Sequence, residues 1–244
     1  MDLHLAGLGP IVLLAYTVQA MTGFGSVIIA VTLGSHLFPL QTLLAILVPM
    51  DVLLNAYLVG RHRAHVDREV LFVKILPLMG LGLLAGIGLF HFLKGDMLKR
   101  AFGLLVVLLS ARELWRLSRG DRARSAVARW KYALTVAGAG LVQGMFASGG
   151  PLIAYAADRI QLSKARFRST LACLWLITNT VLTVSYTATG WFGLESAKAI
   201  LVLLPLVALG TLAGEKLHDR VNERSFRFVV YAILIFAGAS LLLR

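Results

Sequence analysis

Eight apolar runs divide the chain, near residues 5–37, 41–60, 70–93, 98–117, 131–158, 169–189, 196–215 and 226–243. Charged residues gather in the short stretches between them. Six of the runs are about 18–24 residues long, which suits one helical crossing of a hydrocarbon layer. The first and fifth runs are longer. Each is interrupted by a knot of small residues, "TGFGS" at 22–26 and "ASGGP" at 147–151. The pattern predicts two half-length helices on either side of each knot.

The two interruptions are copies. "VQAMTGFGSVIIAV" (18–31) and "VQGMFASGGPLIAY" (142–155) agree at Val18/Val142, Gln19/Gln143, Met21/Met145, Gly25/Gly149, Ile29/Ile153 and Ala30/Ala154, an offset of 124. Asn55 and Asn179 keep that offset, and "LPLMGLGLLAG" (76–86) recurs as "LPLVALGTLAG" (204–214). Blocks that recur in one order at nearly one spacing mark an internal repeat. The halves are 1–117 and 131–244, joined by a basic linker at 118–130.

Charge decides how the runs cross. If all eight cross fully, the Lys and Arg residues of the loops divide equally between the two sides. If the first and fifth runs are re-entrant hairpins, the loops after runs two, four, five and seven carry 18 basic residues and the other side 5. Cytoplasmic loops are enriched in Lys and Arg, so the second topology is preferred. Each half is then a hairpin (5–37; 131–158) plus three crossings (41–60, 70–93, 98–117; 169–189, 196–215, 226–243). Three is odd, so the halves are inverted, the linker is cytoplasmic and both termini face outward. The predicted fold is an all-α polytopic membrane protein of two inverted repeats, an architecture frequent in secondary transporters.

Composition agrees. The chain is 58% hydrophobic with a mean hydropathy of +0.80. Its net charge of +12 lies in loops and does not form an aromatic-interleaved surface, which excludes nucleic acid as a partner. The single cysteine, Cys173, sits in an apolar run. It offers no intrachain disulfide, and no Cys or His spacing suggests a metal. The first run lacks a preceding basic residue and a cleavage pattern, so it reads as a retained segment. No mid-membrane histidine stands near Ser26 or Ser148 to activate a nucleophile, so no catalytic residue and no cofactor are assigned.

The knots carry the candidate chemistry. A helix break at depth leaves backbone N–H groups unpaired, so it must be buried in protein or line a polar cavity. Second half-helices starting near Gly25/Ser26 and Gly149/Gly150 would point two positive dipole ends at one place, an anion site needing no Lys or Arg. Ser148 is placed to cap the second of them. Thr22 and Gly23 belong to the first knot, and Gln19 and Gln143 precede the knots by about a turn. Asp51 is the one carboxylate deep inside a run, with Asn55 one turn away. Such an acid is costly unless neutral or facing a cavity, and it is the candidate for a coupling proton or cation. Asn179 supplies the equivalent polar group in the sixth run. Glycines such as Gly80, Gly82, Gly86 and Gly88 are assigned to close helix packing.

These residues resemble the TauE/SafE family of sulfite exporter-type permeases, small bacterial transporters of sulfur-containing and organic anions. The resemblance rests on "GFGSVIIAV" and "LFPLQTLLAIL" in the first half, "GMFASGGPLIAY" and "STLACLWLITN" in the second, and the paired "LPLxxLGxLAG" blocks. The first knot departs from it, because "TGFGS" lacks the adjacent glycine pair of "SGGP". The resemblance implies export or exchange of a small sulfite-like, organosulfur or carboxylate anion across the inner membrane, by a protein that is not an enzyme. The alternatives are an anion-selective channel and a non-transporting scaffold or partner subunit. The expected partners are the anion and the lipid bilayer, with homodimerisation left open.

Overall fold

The computed structural model describes residues 2–92, 96–119, 129–157, 162–218 and 223–243. Among them the structure is helical: α1 (Asp2–Thr22), α2 (Ser26–Gly34), α3 (Leu40–His62), α4 (Leu76–Phe92), α5 (Asp96–Arg119), α6 (Arg129–Phe146), α7 (Gly150–Ala157), α8 (Lys164–Ala188), α9 (Leu194–His218) and α10 (Glu223–Leu242). A short 3-10 turn, Arg63–His65, follows α3, and a π-helical turn, Val70–Ile75, leads into α4. The linker expected at 118–130 lies largely outside the described residues.

Among the described residues, four helices are long and apolar enough to cross a bilayer, over Leu40–His65, Val70–Phe90, Ala165–Ala188 and Leu194–Leu217. The sequence pattern predicts six. Helix α5 falls short because Lys99 and Arg100 crowd one end and Arg112, Glu113 and Arg116 the other. In α10 the apolar stretch among the described residues is Val230–Leu242. These two helices pack on each other, with the backbones of Gly103 and Gly238 close enough that a Cβ on either would press on the other's carbonyl.

Both long apolar runs break where the small residues stand, but not into equal halves. Among the described residues the first arms, α1 and α6, have 21 and 18 residues, and the second arms, α2 and α7, have 9 and 8. At 1.5 Å per residue the first arms are about 30 Å long and the second about 13 Å. The second arm of the first pair folds back: Gly34 at its end lies against the Leu8 side chain, and Leu37 just beyond lies against Gly7.

The tightest packing is between backbones. A Cβ on Gly82 or Gly86 of α4 would collide with the carbonyls of Ala137 or Leu141 in α6, and one on Gly210 or Gly214 of α9 with those of Leu13 or Thr17 in α1. Glycine is used where two backbones meet with no room for a side chain, which brings many atoms into van der Waals contact without a hydrophobic drive from lipid. The matched "LPL" blocks thus dock α4 on α6 and α9 on α1. Helix α3 packs on α8. Exchanging α1 with α6, and α4 with α9, leaves this set of pairings unchanged. Gly80 and Gly88, by contrast, face open space.

Candidate functional site

The two breaks have the same backbone construction. Gly23 N–H bonds to Gln19 O at 2.7 Å and Ala147 N–H to Gln143 O at 2.8 Å, closing α1 and α6. Both capping residues are left-handed, with φ of +86° at Gly23 and +50° at Ala147. Ile29 N–H then bonds to Gly25 O, and Ile153 N–H to Gly149 O, each at 3.1 Å, opening α2 and α7. The breaks differ at one place: Gly25 has φ +106°, a conformation that glycine adopts without strain.

Between the breaks runs a chain of buried polar groups. Gly149 N–H donates to Gln143 Oε1 (2.9 Å), and Gln143 Nε2 donates to Asn179 Oδ1 (2.7 Å). Asn179 Nδ2 donates to Asp51 Oδ2 (2.7 Å). Asp51 Oδ2 also accepts from Asn55 Nδ2 (2.8 Å), and Oδ1 accepts from Ser26 Oγ (3.2 Å). Ser26 is the first residue of α2, so the chain joins the second break to the first through α6, α8 and α3. Ser26, Asp51, Asn55, Gln143 and Asn179 are all buried. Inside a protein an unpaired polar group costs far more than a paired one gains, so the position of each group is fixed by the next.

The chain borders a cavity lined by Gln19, Gly25, Ser26, Asp51, Gln143, Ser148, Gly150 and Asn179 of the expected site, with Phe24, Pro151 and Trp175. None of its lining residues is Lys, Arg or His. Its volume is about 20 Å³, room for roughly one water. The tips touch: the Phe24 side chain lies 3.0 Å from where a Cβ on Gly150 would be.

Four expected residues stand behind this lining. Thr22 turns its hydroxyl to Val18 O (2.9 Å) and Phe24 O (2.7 Å), and so holds the first break together. Gly23 offers its carbonyl to Trp175, Asn55 fixes Asp51, and the Gly149 N–H is occupied by Gln143. Ser148 does not act as the expected cap, because its hydroxyl donates to Phe146 O at 2.8 Å.

Two residues were not legible as site residues. Trp175 takes the repeat position of Asp51, and its Nε1–H donates to Gly23 O at 3.2 Å. Arg168, two turns earlier on α8, donates from Nη2 to Ala20 O at 2.7 Å, capping α1. Tryptophan in an apolar run and arginine at a loop edge look like ordinary membrane anchors. On the other side, Phe146 packs against Phe90 and Phe102, with ring centroids 6.3 and 5.0 Å away, and Phe90 meets Trp191 at 5.2 Å.

Apolar helices of spanning length around a buried polar network at two helix breaks define an α-helical membrane transport protein. The family model of the sulfite exporter TauE/SafE proteins matches residues 8–241, and the chain belongs to that family. It is 27% identical over 238 residues to a protein of Cupriavidus necator named as a probable sulfite/organosulfonate exporter, TauE, covering 92% of this chain and 88% of that one. It is also 27% identical over 169 residues to a probable inner membrane transporter protein, TsaS, of Comamonas testosteroni, covering 68% and 69%. No solved structure matches the chain.

Proposed function

We propose that the protein is a secondary transporter that exports a small anion of the sulfite or organosulfonate class across the inner membrane. The anion is held between the two helix breaks, near Gly25/Ser26 and Gly149/Gly150. The observation that carries this reading is the hydrogen-bond chain from Gly149 to Ser26, which ties two like breaks to one cavity bordered by helix N-termini. Helix N-termini favour anions through their free N–H groups and dipole ends. The printed names of the relatives support the substrate class.

In this reading the halves are inverted repeats and the short arms enter the bilayer from opposite faces. The reciprocal docking of α4 on α6 and α1 on α9 supports it. A cavity this small favours a carrier over an open channel: an anion must part the tips to load, with Gln143 releasing the Gly149 N–H to it.

The test is flux in proteoliposomes loaded with sulfite, methanesulfonate, thiosulfate or sulfate. Saturable counterflow of at least one is expected. Flux that never saturates, at rates a carrier cannot reach, would identify a channel. No flux of any anion from correctly folded protein would leave a scaffold or partner subunit.

A further inference from the structure

An acid stands in the middle of a site read as one for anions. Asp51 lines the cavity, and its Oδ1 is 3.2 Å from Ser26 Oγ at the start of α2. An anion bound at that N-terminus would lie about 5 Å from Asp51. At an effective dielectric of about 20, two negative charges at that separation cost on the order of a hundredfold in affinity. Among the described residues lining the cavity no cation offsets this. The side chains facing Asp51 are neutral: Ser26 from α2, Asn55 from α3 itself, Asn179 and Trp175 from α8, Gln19 from α1 and Gln143 from α6. Tyr16 of α1 is the titratable neighbour, and its hydroxyl bonds to Leu47 O. Arg168 is turned to Ala20 O. Helix α9, also packed on α3, carries Glu195 and Lys198 near one end and Glu215 and Lys216 near the other.

We propose that a proton on Asp51 is the obligatory co-substrate of the anion, so that the site loads one of each and carries them as a pair. This rests on the anion site proposed above. The hydrogen bonds say where the proton goes. Oδ2 is filled by two amide donors, Asn55 and Asn179. Oδ1 faces the Ser26 hydroxyl, which can reverse and accept, and the Gln19 amide that also bonds this carboxyl can turn its oxygen to it. The proton therefore sits on Oδ1, on the cavity side, where it can be donated to Ser26 Oγ or to the anion. It comes from solution on loading and returns on release, and no bond within the anion changes. A monovalent anion then crosses without net charge and indifferent to membrane potential; an acid exterior opposes export, so net efflux follows the anion's own outward gradient. The exporter is thus a proton–anion symporter.

Asp51→Asn imitates the protonated state. Its amide oxygen can accept from Asn55 and Asn179, and its NH₂ can donate to Ser26. Binding of methanesulfonate, which does not titrate in this range, would be measured from about pH 5 to 9 on purified protein, together with proton uptake in weakly buffered solution. Wild-type affinity is expected to fall about tenfold per pH unit once Asp51 releases its proton, because one proton is linked to one anion. Binding should then take up about one proton, whereas Asp51→Asn should show a flat profile and no uptake. In proteoliposomes an acid lumen should accelerate wild-type efflux of the anion, and an imposed potassium potential should leave its rate unchanged. Binding with a flat wild-type profile and no proton uptake overturns the proposal while leaving the anion site intact. The same slope in Asp51→Asn also overturns it, since another group would be titrating. If Asp51→Asn fails to fold, the wild-type proton uptake decides alone. If methanesulfonate, thiosulfate and sulfate all fail to bind, the anion site falls and the coupling falls with it.

Discussion

At the scale of single residues, the first break is held by groups from the other half of the chain. Helix α1 ends with carbonyls that no following N–H can satisfy. Arg168 supplies a charged donor to Ala20 O, and its stem lies against Gly23. A cation at a helix C-terminus is favoured by the dipole as well. Arg168→Ala is expected to destabilise the folded protein by about 1–3 kcal/mol, the range for a hydrogen bond to a charged group. Arg168→Lys should recover part of that, which thermal unfolding in detergent would measure. Gly25 offers a second check. A Cβ there would have room, its nearest neighbour being Ile29 Cδ1 at 3.9 Å, yet φ is +106°. Gly25→Ala should therefore cost about 1–2 kcal/mol through backbone strain alone. Asp51 was legible in the sequence as a lone carboxylate in an apolar run. Its partners were only half legible: Gln143 and Asn179 stood out as polar, but nothing in sequence spacing says that α6 and α8 bring them end to end.

At the scale of elements, the small residues that announce the breaks are also the ones that dock the helices, and structure separates the two uses. Gly86 and Gly88 are two residues apart on α4 and look alike in sequence. A Cβ on Gly86 would strike the Leu141 carbonyl, while one on Gly88 meets nothing. Gly86→Ala is expected to cost about 1–3 kcal/mol or more by forcing α4 from α6. Gly88→Ala should be neutral or stabilise by up to about 1 kcal/mol, because alanine favours the helix. Unfolding midpoints of the two variants, compared side by side, test the assignment. Element existence was legible throughout, since apolar length and loop charge mark each helix. Arm length was not. The apolar run before Thr22 is continuous with the rest, and only the fold-back contact of Gly34 with Leu8 reveals a long arm and a short one.

At the scale of the whole molecule, the decisive question is which loops share a side. Full crossing by all eight runs would put the loop after α3 and the loop before α8 on opposite faces. In the structure these loops meet: Asp67 N–H donates to Thr170 Oγ1 at 2.9 Å, and Asp67 Oδ2 lies 3.9 Å from Arg166. The far end of α8 lies elsewhere, where Tyr186 stacks on Trp191 and Trp191 meets Phe90 at the end of α4. Basic loops therefore gather at one end of α3, α4 and α8 and aromatic rings at the other, as expected for a cytoplasmic and an outer face. The cavity is lined by Trp175 of α8, two turns from Arg168, and by Ala147, the residue after Phe146. In a background with Cys173 changed to serine, single cysteines can be placed at the exposed positions Ser118, Ala165 and Glu195. Ser118→Cys and Ala165→Cys should react with an impermeant maleimide only from the cytoplasmic side, and Glu195→Cys only from outside. Labelling of Ser118→Cys and Ala165→Cys from opposite sides would mean that the segment of α6 and α7 crosses the membrane instead of returning. The two breaks could not then belong to inverted hairpins, and the shared anion site would lose its geometric basis.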